Sequence, residues 1–110
     1  MVDETKQIDD FDAEITKEVM PQLKFYMDFP KKGVNFLDIF SATSKPAAMK
    51  RIMDGLKKMI IEKVGKPGTA FTHIVGLESK GFVLGPLLCL DWDLPFVPIR
   101  KKGKLPGECW

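Results

Sequence analysis

The sequence predicts an α/β fold, and three observations carry that prediction. Phe71-Thr72-His73-Ile74-Val75 reads as a short buried strand. An almost wholly apolar helix follows from about Lys80 to Leu90, with Pro86 as its weak point. Pro95-Phe96-Val97-Pro98-Ile99 then reads as a second short strand, at an edge or ending at Pro98, which has no N–H to donate to a ladder. Strand, helix and strand in that order form one crossover unit, for which a right-handed connection is expected.

The remaining elements follow from capping residues and periodicity. Asp9 or Asp10 is placed to cap a first helix, along which Phe11, Ile15, Val19 and Leu23 recur at helical spacing. Pro21 breaks or kinks it, and a second short helix is expected through Tyr26. From Met27 to Asp38 there is no period but there are Pro, Gly and aromatic residues, which predicts an ordered loop. Ser44-Lys45-Pro46 starts the strongest helix, a cap residue followed by proline in the first turn. Met49, Ile52, Met53, Leu56, Met59, Ile60 and Val64 form one apolar core stripe on it, Lys50, Arg51, Lys57 and Lys58 take the other face, and Gly65 closes it.

With 110 residues the chain has material for one small domain. Its 45% apolar and 29% charged residues are ordinary for a globular protein, which excludes disordered and fibrous classes. No apolar run approaches the ~20 residues that span a bilayer, so no membrane partner is expected. The acidic start, Met1 to Asp10, has no apolar core and does not read as a secretory signal. Cys89 and Cys109 offer neither a disulfide framework nor metal-ligand spacing with the lone His73, and a reducing cytosol fits them best. Cys89 is expected in packing, Cys109 as an exposed thiol, and His73 as a core histidine.

The net charge of +2 conceals a division along the chain. Residues 1–30 carry eight acids and three lysines, so residues 31–110 hold 14 bases against 7 acids. Such a body suits an anionic partner. Nucleic acid is the weaker choice, because a single aromatic-poor basic run supports it.

Two turns are candidates for that anion. Gly76-Leu77-Glu78-Ser79-Lys80-Gly81 joins the first strand to its helix, where free N–H groups and the helix dipole favour negative charge. The same residues also read as an N-cap in a tight turn. Arg100-Lys101-Lys102-Gly103-Lys104 leaves the next strand at the same sheet edge, as a second cationic loop or a solvated basic turn. Phe36, with Asn35 and Leu37 beside it, is placed either to stack on a planar base or to anchor its loop to the core.

Taken together, three segments resemble adenine phosphoribosyltransferases. Phe29-Pro30 with Gly33-Val34-Asn35-Phe36-Leu37-Asp38-Ile39 is similar to their F-P-x-x-G-V-x-F-x-D-I segment. Gly76-Leu77-Glu78-Ser79-Lys80-Gly81-Phe82 is similar to their G-L/I-D/E-S/A-R-G-F loop, and Ile99 to Gly107 to their I-R-K-x-G-K-L-P-G segment. The resemblance implies a type I phosphoribosyltransferase fold, a parallel sheet flanked by helices, incomplete in this chain. It divides residues 1–110 into an N-terminal helical segment (1–26), a base-binding loop (27–40) and an α/β core portion (41–110).

The implied activity is purine salvage. The 5-phosphoribosyl group of phosphoribosyl pyrophosphate passes to adenine, giving AMP and pyrophosphate with Mg²⁺ in a cytoplasmic homodimer. Phe36 would then stack on adenine, with Asn35 and Leu37 offering backbone contacts to its edge. Ser79, Lys80 and Gly81 would bind pyrophosphate through backbone groups, and Arg100 and Lys104 would add charge there across the dimer interface. The family usually has Arg where this chain has Leu37 and Lys80, and lysine lacks the two-pronged fork of arginine.

The family's D-D-x-x-A-T-G-G-T loop for ribose 5-phosphate has no counterpart in a sequence without a Gly-Gly pair, and no catalytic carboxylate is assigned. The 110 residues alone are therefore expected to transfer negligibly. They are also expected to leave a sheet edge and apolar surface uncovered, and so to associate or unfold. Two alternatives stay open: transfer to another purine such as xanthine, and a non-catalytic nucleotide-binding or dimer-partner protein of the same fold.

Overall fold

The computed structural model describes residues 10–110. The chain divides into two compact units, one ending at Leu56 and the other running Lys57–Trp110.

In the first unit, α1 spans Asp10–Val19. Asp9, one of its two expected caps, lies outside the described residues, as does the Asp10 side chain. Pro21 brings no N–H, and Met20–Gln22 tighten into one 3₁₀ turn. The second short helix expected through Tyr26 is corrected to a strand. Lys24–Tyr26 (β1) pairs antiparallel with Phe36–Asp38 (β2), Phe25 opposite Leu37 and Tyr26 opposite Phe36. Leu23 is already extended, and the Lys24 N–H donates to Ser41 Oγ at 2.9 Å, outside any helix.

The segment read as a loop thus ends in a strand. Its tip is fixed by Asp28, whose carboxylate accepts the Gly33 N–H at 2.7 Å, and by a 2.9 Å bond from the Phe29 N–H to the Val34 carbonyl. Gly33 adopts φ +87°, a value that L-residues reach only with strain.

After the single turn α2 (Phe40–Thr43), α3 runs Pro46–Lys63 with proline in its first turn, as its start predicts. Val19, Ala42 and Ala48 form the buried core of this unit, and Ile15, Leu23 and Ile52 pack on it. Arg51, expected on the polar face, clamps α1: its Nε lies 2.6 Å from Glu18, Nη2 3.2 Å from Glu14, and its guanidinium 5.6 Å from the Phe11 ring centroid. The core stripe of α3 holds only in part, because Met53 is 7% exposed whereas Met59 and Val64 are 52% and 58% exposed.

The second unit contains the crossover unit the sequence predicts. β3 (Ile74–Leu77), α4 (Lys80–Trp92) and β4 (Phe96–Ile99) follow in order, with β3 and β4 parallel and Leu77 opposite Ile99. Pro86 sits inside α4, which ends at Asp93 in a left-handed conformation. Leu88 and Cys89 are buried and Cys109 is exposed, as expected; burial pushes the Cys89 thiol pKa up.

His73 is corrected: it is exposed, precedes β3, and lies 2.8 Å from Thr72 Oγ1 through its Nδ1. The expected strand began too early, because Phe71 bridges back to Pro67 and rests edge-on against Trp92 at 5.6 Å between centroids. Val75, Leu77, Val97 and Ile99 present exposed apolar side chains on this sheet.

Close approach of backbone explains two glycines. A Cβ on Gly76 would lie 2.6 Å from the Gly81 carbonyl and 2.7 Å from the Phe96 ring. A Cβ on Gly81 would lie 2.9 Å from the Gly76 Cα. The pair lets the first turn of α4 rest on β3, and the Phe96 ring fills the space beside Gly76 and Gly85 while meeting Phe82 edge-on at 5.8 Å.

Candidate functional site

Two sites emerge, one in each unit. In the second unit, parallel pairing sends the carboxyl ends of β3 and β4 in one direction, where ligands of open α/β sheets collect. The residues just past each strand, Glu78 and Arg100, become neighbours at that end. Leu77, Glu78, Ser79, Ile99, Arg100, Lys101 and Lys104 line a cleft of about 810 Å³ there. Ser79 occupies the N-cap position of α4 without a side-chain cap bond, so its hydroxyl is not spent on capping. Lys80 and Gly81 form the first turn of the same helix. Of the five residues expected near pyrophosphate, Ser79, Arg100 and Lys104 line this cleft, while Lys80 and Gly81 stand in the first turn of α4 directly after Ser79.

The electrostatics of the cleft differ from a plain row of cations. Arg100 donates through Nε and Nη2 to the two Glu78 carboxylate oxygens, at 2.9 and 3.2 Å, and through Nη1 to the Lys104 carbonyl at 2.8 Å. The hydrogen bond from Arg100 holds the Glu78 carboxyl below its ordinary pKa, and the charges of Arg100 and Lys101 add to that. The same hydrogen bond raises the Arg100 pKa. Glu78 is the residue that sequence reasoning missed. A signal existed, an acid directly after one strand and a base directly after its parallel neighbour.

In the first unit, Tyr26, Phe29, Phe36, Asp38 and Phe40 line a cavity of about 270 Å³. That is just under the size of drug-binding pockets, room for one small ring system. Phe36 stands on β2 rather than in an irregular loop, half-buried, with its ring edge-on to Phe29 at 5.2 Å. Asp38 Oδ1 accepts the Phe40 N–H at 3.0 Å, which shapes the rim. Asn35 and Leu37 flank Phe36 and are exposed. Among the described residues β2 pairs only with β1. No helix of the described residues is long and apolar enough to cross a membrane.

Comparison with known proteins gives one consistent result. No family model matches the chain. It is 39% identical over 98 residues to adenine phosphoribosyltransferase 1 of Saccharomyces cerevisiae, covering 89% of this chain and 51% of that protein. It is 44% identical over 89 residues to the adenine phosphoribosyltransferase of Acetivibrio thermocellus, covering 81% and 49%. Among solved structures, the Saccharomyces cerevisiae enzyme complexed with an imino-altritol bisphosphate and adenine superposes with a TM-score of 0.79 at 38% identity, over 89% of this chain and 57% of that one. The Trypanosoma brucei enzyme in complex with AMP, pyrophosphate and ribose-5-phosphate superposes with a TM-score of 0.68 at 28% identity, over 87% and 41%. The chain spans about half the length of the curated relatives it matches.

Proposed function

We propose, from a chain that belongs in sequence and fold with the adenine phosphoribosyltransferases and spans about half of one, that it carries the base- and diphosphate-binding part of a purine salvage enzyme. In the whole enzyme the C1′–O bond of phosphoribosyl pyrophosphate breaks and pyrophosphate leaves with the bonding electrons. Adenine N9 bonds to C1′ and gives up its proton, yielding AMP. The sugar passes through an oxocarbenium-like state, so the protein's task is to position the reactants and stabilise the departing charge. Mg²⁺ enters as the counter-ion of phosphoribosyl pyrophosphate.

The reading rests most on the cleft at the carboxyl ends of β3 and β4, where Ser79, Arg100 and Lys104 share one wall-to-wall space. Backbone groups of Ser79, Lys80 and Gly81 receive the diphosphate at the start of α4, and Lys104 supplies full charge. Phe36 offers its ring to the base, and Asn35 and Leu37 offer backbone groups to the base edge. The whole enzyme acts as a homodimer in the cytosol, a compartment consistent with the free thiols Cys89 and Cys109.

Equilibrium binding tests the assignment. Phosphoribosyl pyrophosphate with Mg²⁺ is expected to bind the chain saturably, and adenine to bind in preference to xanthine. Preference for xanthine would move the assignment to another purine, and failure of both ligands to bind would overturn it.

A further inference from the structure

A cationic turn holds a diphosphate well only if the turn itself is held, and the 100–104 segment has a specific device for this. Arg100 commits three of its nitrogens at once: Nε and Nη2 to the Glu78 carboxylate, Nη1 to the Lys104 carbonyl. The Lys104 N–H in turn donates to the Lys101 carbonyl at 3.1 Å, closing the turn that contains Gly103 at φ +81°. Glu78 is anchored at the other end by its place directly after β3, where the parallel register sets it beside Arg100. The side chains of Glu78 and Arg100 are 45% and 30% exposed, so water competes for the pair, but its bidentate geometry is specific.

We infer that Glu78 is a positioning residue of the diphosphate site, which acts through Arg100 to fix the 100–104 turn against the Ser79 loop. Arg100 is then chiefly the strut of the site rather than one of its anion ligands. The inference deepens the function proposed above and rests on it for the identity of the anion. The ion pair itself is independent of that identity.

The sign of one substitution separates this role from a mere contribution to net charge. Removing the carboxylate in Glu78→Gln makes the cleft one charge more positive. Through charge alone that strengthens binding of a polyanion. A strut predicts the opposite.

Two measurements on the full chain test it, with inorganic pyrophosphate as the probe. In hydrogen–deuterium exchange, the segment around Lys104 is expected to exchange roughly threefold faster in E78Q than in wild type, the modest scale of an exposed ion pair. Glu108→Gln serves as the control and leaves it unchanged. In calorimetric titration, pyrophosphate is expected to bind E78Q more weakly, and Glu78→Asp, which keeps the charge, to recover part of the loss. Unchanged exchange around Lys104, or equal or tighter pyrophosphate binding by E78Q, would overturn the inference. If wild type binds no pyrophosphate at all, the proposed function fails while the exchange comparison still decides the strut.

Discussion

The stretch ending at Leu56 and the stretch from Lys57 each contain a two-stranded sheet, but the two sheets locate their sites by different means. In the first, β1 and β2 are antiparallel neighbours, and the cavity is walled by aromatic side chains of the hairpin and of Phe40 just beyond it. In the second, β3 and β4 are parallel, so the turns that follow them meet at one end whatever their side chains are. Side chains then lock what topology brought together, through the Glu78–Arg100 pair. A pocket made by packing is sensitive to side-chain shape. A cleft made by strand direction is sensitive to the backbone contact that holds helix to strand.

The largest expected effect follows from that backbone contact. In Gly76→Ala the new methyl meets the Gly81 carbonyl at 2.6 Å, and backbone cannot step aside as a flexible side chain would. A loss of about 3 kcal/mol is expected, at the upper end of overpacking costs, read as a fall in Tm by circular dichroism. The hairpin offers the contrasting glycine. A Cβ on Gly33 meets nothing within 4 Å, so Gly33→Ala bears only the cost of its φ of +87°, about 1 kcal/mol. Equal losses at the two positions would erase the distinction drawn between the units.

A smaller effect concerns pH. The folded-state pKa of Glu78 lies below its unfolded value because Arg100 donates to it, so the pair stabilises the fold above the ordinary carboxylate value and that contribution is lost as pH falls. The Tm difference between wild type and E78Q is therefore expected to be fully present at neutral pH and to close below about pH 4.5. A difference independent of pH would mean that the carboxylate charge does not contribute.

The second unit was the more legible one in the sequence. Glycine and proline punctuation, two short apolar runs and the apolar helix between them were enough to predict β3, α4, β4 and their shared edge. The hairpin was not legible, because β1 has three exposed residues and so carries no burial alternation, while Leu23 and Tyr26 mimic helical spacing. His73 was misplaced because the apolar run around it begins before the strand does. Gly76 and Gly81 each make room for the other, a contact between separate elements that local pattern does not contain. The pairing of Phe36 with Phe29 depends on the hairpin closing, which the local sequence pattern does not contain.

The central claim is that the turns after β3 and β4 form one diphosphate-binding cleft, and titration of pyrophosphate against Lys104→Ala tests it most directly. Arg100 bonds to the Lys104 carbonyl, which alanine retains, so the substitution removes the charge and spares the strut. Saturable binding to wild type that weakens about tenfold in K104A, the scale of one charge-assisted hydrogen bond, is the predicted result. Binding of equal strength in wild type and K104A would contradict it.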